Sequence, residues 1–227
     1  CDLMIDETPL RERKRQATRR RIEDAATELV EKHGFADVTV EDICRAAEIS
    51  RRTFFNYMES KDEAVLGIPP MSIAEDRRQL LVETPSDNLV KSALEQVVAT
   101  LSDAESEDIE AGADQEFLNI LRERRHRIVA AEPSVAMMSV NRFREQAKLI
   151  HQLILDHLER HPADRRLGDH PPEIEASIIA ALIRESVWLH MSRLSRQSAP
   201  HSDHAARARM LPETGQLISD FAKELSW

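Results

Sequence analysis

A chain of 227 residues is long enough to bury a core and to form one large domain or two modest ones. Five glycines in that length argue against a strand-rich or phosphate-loop fold, and the two cysteines, Cys1 and Cys44, give neither a disulfide framework nor a metal-type spacing. The first thirty residues are too charged for a signal peptide and no long apolar window follows, so a membrane span or export is not expected and a cytoplasmic protein is.

The formal charge of -10 disfavours nucleic acid only if it is spread evenly, and it is not. Residues 11–21 hold Arg11, Arg13, Lys14, Arg15, Arg19, Arg20 and Arg21 against one acid, Glu12, a local charge of seven minus one, or +6. Such a run is either a solvated helix end or a nucleic-acid contact.

From Thr18 onward Ile22, Ala25, Ala26, Leu29 and Val30 fall at helical spacing, and Gly34 follows the last turn as a left-handed cap with Phe35 folding back behind it. Thr39 caps a two-turn helix carrying Val40, Ile43 and Ala47 on one side, with Asp42 complementing its amino end. Ser50 caps a third helix over Arg51 to Met58, in which Phe54 and Met58 share a face. Ser60 and Glu63 make a capping box for a fourth helix that Pro69 and Pro70 stop.

Between the second and third of these helices lie only Glu48 and Ile49 before the cap, which is helix-turn-helix spacing. In that motif the second helix offers its first residues to base edges in the major groove. Here those residues are Arg51, Arg52 and Thr53, chemically suited to guanine, to phosphate or to a thymine methyl, and Asn56 suits adenine if it faces the groove.

Residues 18–67, TRRRIEDAATELVEKHGFADVTVEDICRAAEISRRTFFNYMESKDEAVLG, resemble the DNA-binding domain of the TetR family of bacterial transcriptional regulators. The resemblance rests on Gly34-Phe35, on the Thr39-Val40 opening of the second helix and on Ser50 through Lys61 closing in Ser-Lys-Asp-Glu. It implies an all-α protein: a flexible basic arm over 1–17, a three-helix helix-turn-helix domain over 18–68, and a larger helical ligand-binding and dimerisation domain over 69–227. It implies that Thr39 and Val40 approach phosphates, that Arg51, Arg52 and Thr53 face the groove, and that Tyr57 and Lys61 clamp the backbone. The DNA-facing set is then Thr39, Val40, Ser50, Arg51, Arg52, Thr53, Phe55, Asn56, Tyr57 and Lys61. Phe55 departs from the family's frequent tyrosine and is left to pack or to touch a thymine methyl. A second departure is Pro69-Pro70, which breaks the fourth helix that in the family relays ligand binding.

Beyond the prolines, Met71 to Val82 is expected to resume as a helix, Leu89, Ala93, Val97 and Leu101 mark the next, and the acidic segment 102–113 reads as a loop. Helices follow from Asp114 to Ala131 and from Pro133 to the His161-Pro162 break, and a last one starts at Pro212. The segment near 173–195 is apolar on more than one face, so it is either the centre of a core or partly covered by another subunit. The resemblance implies the second for this helix and the one near 212–226, hence a homodimer suited to a palindromic double-stranded operator.

Phe117, Leu121, Met137, Phe143 and Trp188 are candidates to line an apolar pocket for a small-molecule effector, although core packing explains each singly. Glu185 joins them as a polar group inside the most apolar helix, to be satisfied by a ligand, a second subunit or an internal bond. The pairs Glu123/His126 and His201/His204 lack further ligands, so no metal and no cofactor is expected; nor is catalysis. The function expected is a ligand-responsive repressor; the rival is a helical protein-interaction module without sequence-specific DNA binding.

Overall fold

The computed structural model describes residues 7–196 and 204–224, with side chains at 11–191, 211–221 and 223–224. Its long elements are all helices: α1 (Glu7–His33), α2 (Val40–Ala46), α3 (Arg51–Tyr57), α4 (Lys61–Leu66), α5 (Glu75–Glu83), α6 (Leu89–Glu110), α7 (Gln115–Ala131), α8 (Pro133–Arg160), α9 (Pro172–Arg196) and α10 (His204–Glu224). One 3-10 turn, Pro162–Asp164, separates α8 from α9. The all-α expectation holds, and among the described residues no helix is long and apolar enough to cross a membrane.

The chain forms two compact units, one of residues 1–69 with 103–141 and the other of residues 70–102 with 142–227. This differs from the linear division expected at residue 68. The first unit takes in α7 and the start of α8 because Ile128 and Val135 share its core with Ile22, Ala26 and Val30 of α1, Ile43 and Cys44 of α2, Phe54 of α3 and Val65 of α4. Nothing local in the sequence announces a packing partner roughly a hundred residues away along the chain.

The polar stripe of α1 fixes that partnership. Arg124 on α7 donates to Asp24 Oδ1 at 2.8 Å and to Thr27 Oγ1 at 3.0 Å, and Arg127 donates to Glu31 at 2.6 Å. Glu132 accepts the Phe35 backbone N–H at 2.9 Å, tying the chain just beyond the α1 cap, where Gly34 has φ +87°. Arg20, buried, donates to the backbone carbonyls of Asp108 and Ala111, both at 2.7 Å.

Those two bonds explain a correction. The acidic segment expected as a loop over 102–113 is helical as far as Glu110, because the carbonyls at a helix C-terminus, carrying partial negative charge, attract a guanidinium. Gln16 also donates to the Glu107 carboxylate and Arg122 to that of Glu105. A helix start differs too: α10 begins at His204 and carries Pro212 in its interior, since Ala and Arg ahead of the proline favour helix and a proline permits a start without requiring one. Likewise α1 begins at Glu7, so much of the segment expected as a flexible arm over 1–17 is helix; residues 1–6 lie outside the described set.

In the second unit Leu81 of α5, Leu94 and Val97 of α6, Ile150, Ile154 and Leu158 of α8, Ile183 and Val187 of α9 and Leu211 of α10 form one core. His157 is fully buried, with Nδ1 2.7 Å from the Leu81 carbonyl and Nε2 3.0 Å from Asp164 Oδ2. Both partners are acceptors available to a ring N–H. Asp164 also accepts the Ser86 N–H at 2.7 Å, and that bond, with His157 beside it, holds its carboxyl below the usual range.

Acid therefore acts on the two units in opposite senses. Burial, reinforced by the charge of Glu23 and opposed by Arg20, pushes the Asp108 carboxyl up to about 6. A carboxyl raised in the fold contributes stability below its ordinary value and loses it as pH rises through 6, whereas the depressed Asp164 contributes above its ordinary value and loses it as pH falls. We expect Asp108→Asn to raise the Tm at pH 7 more than at pH 4.5, in thermal melts at the two values; an equal change at both would remove Asp108 as the titrating group.

Candidate nucleic-acid interface

Two short helices and the turn between them build the interface. Thr39 caps α2 with a reciprocal box: its hydroxyl accepts from the Asp42 N–H at 3.2 Å while Asp42 Oδ2 accepts the Thr39 N–H at 3.0 Å. At the other end of α2 the Ile49 N–H reaches the Cys44 carbonyl at 2.9 Å and the Glu48 N–H reaches the Arg45 carbonyl at 3.3 Å. That is a Schellman stop, and it places Glu48 in the left-handed region at φ +53° where glycine is usual. Ser50 then caps α3, accepting the Thr53 N–H at 3.0 Å, and its hydroxyl lies 2.8 Å from that of Thr53.

On α3 the 3.6-residue period sorts neighbours into core and solvent. Phe54 is fully buried, edge-on to Phe55 at 5.2 Å between ring centroids, while Phe55 keeps 47% of its surface exposed. Arg51, Arg52 and Asn56 are exposed with it; Thr53 and Tyr57 are half-buried. Arg51 pairs with Glu41 of α2 through Nη1 and lies with its guanidinium carbon 5.5 Å from the Phe55 ring centroid. Thr39 is exposed at the first turn of α2 and Val40 half-buried beside it.

The end of α3 is held from within. Arg19 of α1 donates to the Tyr57 carbonyl at 3.2 Å and to Glu63 of α4 at 2.8 Å, with Glu23 3.3 Å from its Nε. These two carboxylates raise the Arg19 pKa against the opposing effect of burial. Ser60 caps α4 by accepting the Glu63 N–H at 3.2 Å, while the Glu63 carboxylate reaches back to the Glu59 N–H at 2.7 Å, one residue before the cap. The helix stops at Leu66, and Gly67 follows at φ +68° with Arg125 packed so closely that a Cβ there would lie 2.7 Å from its guanidinium carbon.

Two expectations from the sequence change here. Lys61, expected to clamp the DNA backbone, donates to the carbonyls of Phe35 at 2.6 Å and Val38 at 2.7 Å and lies 3.9 Å from the Phe35 ring centre, so its ammonium closes the α1–α2 connection. Burial holds it below the ordinary lysine range. Of the seven basic residues in 11–21, Arg19 and Arg20 turn inward, leaving Arg11, Arg13, Lys14, Arg15 and Arg21 exposed on the helix. The signal for the inward pair was their place one turn ahead of Ile22 and Glu23, which are both buried.

The six residues expected to meet a ligand divide between the two units. Phe117, Leu121 and Met137 belong to the first unit, where Leu121 is core and Met137 is 60% exposed; Phe143, Glu185 and Trp188 belong to the second. There Phe143 and Trp188 stack at 5.9 Å, and exposed Glu185 pairs with Arg184 at 2.9 Å. Glu123 pairs with Arg127, and among the described residues no group of three metal-ligating side chains assembles. His201 and the side chain of His204 lie outside them.

Two helices crossing through a Schellman turn, with the second exposing arginines, an asparagine and an aromatic ring, define a helix-turn-helix DNA-binding domain. Residues 22–66, about one fifth of the chain, match the description "Bacterial regulatory proteins, tetR family", so the chain carries a helix-turn-helix domain of that family's kind. Over 50 residues it is 54% identical to a Mycobacterium tuberculosis (strain ATCC 25618 / H37Rv) protein described as a mycofactocin biosynthesis transcriptional regulator, MftR, a match covering 22% of this chain and 25% of that one. A crystal structure of a TetR-family transcriptional regulator from Mesorhizobium loti MAFF303099 is similar over 92% of this chain and 98% of that one, at 18% identity and a TM-score of 0.46.

Glu48 gives a direct check on the turn. A β-branched residue at positive φ is far less tolerated than glycine, so Glu48→Val is expected to lower stability by about 1 to 2 kcal/mol. Glu48→Gly is expected to keep or raise it, in urea titrations of both variants.

Proposed function

We propose that the chain is a ligand-responsive transcriptional repressor that works in the cytoplasm, binding a palindromic operator as a homodimer and leaving it when a small molecule occupies its second unit. The observation that carries the DNA reading is the solvent face of α3, where Arg51, Arg52, Phe55 and Asn56 are free of the core while Arg19 fixes the helix from behind. Thr39, Val40, Ser50 and Thr53 flank that face at the two helix starts, where backbone N–H groups favour phosphate. Tyr57 ends it, and the five exposed basic residues of α1 supply sequence-independent attraction.

Support for the homodimer comes from the last two helices. On α9 Ile174, Ile178 and Trp188 repeat at helical spacing and each is 46% to 51% exposed; on α10 Leu217 and Phe221 are 54% and 66% exposed one turn apart. Exposed apolar stripes of this kind mark an interaction surface, and a two-fold dimer presents two recognition helices to two half-sites. For the effector, the Phe143–Trp188 pair is the apolar contact favoured among the expected residues. Release follows from linkage: a ligand lowers DNA affinity only as far as it favours the state that binds DNA poorly, typically by about 1 to 3 kcal/mol.

Selection of bound sequences from a random duplex pool tests the reading. Enrichment of an inverted repeat with a steep inverse salt dependence is expected; no enrichment by folded dimer would point instead to a protein-binding module. Arg52→Ala is expected to cost about 1 to 3 kcal/mol at particular base positions and little at others. A uniform loss on every sequence would remove Arg52 from base reading. Phe221→Asp with Leu217→Asp is expected to give a monomer in sedimentation velocity and to abolish binding to the paired half-sites.

A further inference from the structure

Arg51 differs from Arg52, the other exposed cation of α3, in being held on two sides. Its Nη1 pairs with Glu41 on α2, and its guanidinium carbon lies 5.5 Å from the centre of the Phe55 ring, one turn further along the same helix. Neither contact hides it: the Arg51 side chain is 64% exposed and that of Glu41 53%. A carboxylate on one guanidinium nitrogen leaves Nη2 and Nε, an adjacent pair of donors with the spacing that matches O6 and N7 of guanine. Among the described residues Arg52 and Asn56, by contrast, have no side-chain hydrogen bond or ion pair that would orient them.

Phe55 is the second half of the arrangement. An exposed phenyl ring at a DNA-facing position has no hydrogen bond to offer, and the one apolar group in the major groove is the 5-methyl of a pyrimidine. Successive bases along a strand stand about 3.4 Å apart, a spacing that the 5.5 Å between the Arg51 guanidinium carbon and the Phe55 ring centre can span.

We propose that Arg51 and Phe55 together read a guanine next to a 5-methylpyrimidine in each half-site, with Glu41 as the residue that positions Arg51. The inference rests on the DNA-binding function proposed above and names a step its operator contains. Thymine and 5-methylcytosine present the same methyl group, and the test separates them.

The full-length dimer is used to select its sites from a random duplex pool, and the preferred site is resynthesised with thymine, uracil, cytosine or 5-methylcytosine beside the guanine. Binding is measured for the wild type, Phe55→Ala and Glu41→Gln, each checked for an unchanged Tm. Loss of the methyl from thymine is expected to weaken the wild type about fourfold, the effect of one buried methyl, and to leave Phe55→Ala unaffected. A gain from 5-methylcytosine over cytosine in the wild type alone shows that the methyl is read whichever base carries it; a gain confined to thymine over uracil assigns the site to thymine. Glu41→Gln is expected to relax the preference for guanine at its position with no change in salt dependence, which a purely structural role would not do. A selected site lacking the step, or methyl sensitivity retained in Phe55→Ala, overturns this inference while leaving DNA binding intact. Absence of any selected site overturns both.

Discussion

Charged side chains buried along α1 are the constraint on which the first unit depends. Arg20 and Glu23 are each only 8% exposed and Thr27 is fully buried, on a helix whose adjoining stripe, Ile22, Ala26 and Val30, is equally buried. A helix buried over so broad an arc cannot leave its polar stripe unsatisfied, because a buried ion without partners costs several kcal/mol. Arg19 is answered by Glu23, Glu63 and the Tyr57 carbonyl, Arg20 by two carbonyls at the end of α6, and Asp24 by Arg124 of α7. The helix that packs under the DNA-facing pair is thus also the one that fixes where α3 ends.

Where a residue's partner lies within one turn, the sequence is a reliable guide. Thr39, Ser50, Ser60 and Gly34 each mark a helix end through bonds to residues three or four positions away, and all four sit where expected. The bounds of α7 and α8 follow for the same reason, from Asp114 as a cap and from prolines at 133 and 162. The exposed face of α3 was readable too, since Phe54 and Met58 share one side and leave Arg51, Arg52 and Phe55 on the other.

What escaped the sequence depends on partners far along the chain. An acidic stretch reads as a loop until Arg20, 88 residues earlier, is seen to hold its carbonyls. A basic run reads as uniformly available until Arg19 and Arg20 are seen to point inward, and Lys61 reads as a phosphate clamp until the Phe35 and Val38 carbonyls are found against it. In each case the side chain's chemistry was read correctly and the partner was not, because a guanidinium or ammonium takes a backbone carbonyl as readily as a phosphate oxygen. The residues expected to line a pocket raise a different point: apolar residues at helical spacing on several helices say that something is buried, not what they meet.

Cys44 lies 6% exposed in the core beneath the turn, and burial, with the nearby charge of Glu41, raises its thiol above the ordinary range. A neutral, enclosed thiol reacts with an alkylating reagent only while the surrounding helices are apart. The chain therefore carries its own clock for the opening of this domain: the rate at which Cys44 is modified measures how often α2 lifts from α1 and α3, without any label being introduced. On the function proposed above, a duplex seated across α2 and α3 would slow that clock, so one native atom would report both the breathing of the fold and the presence of its partner.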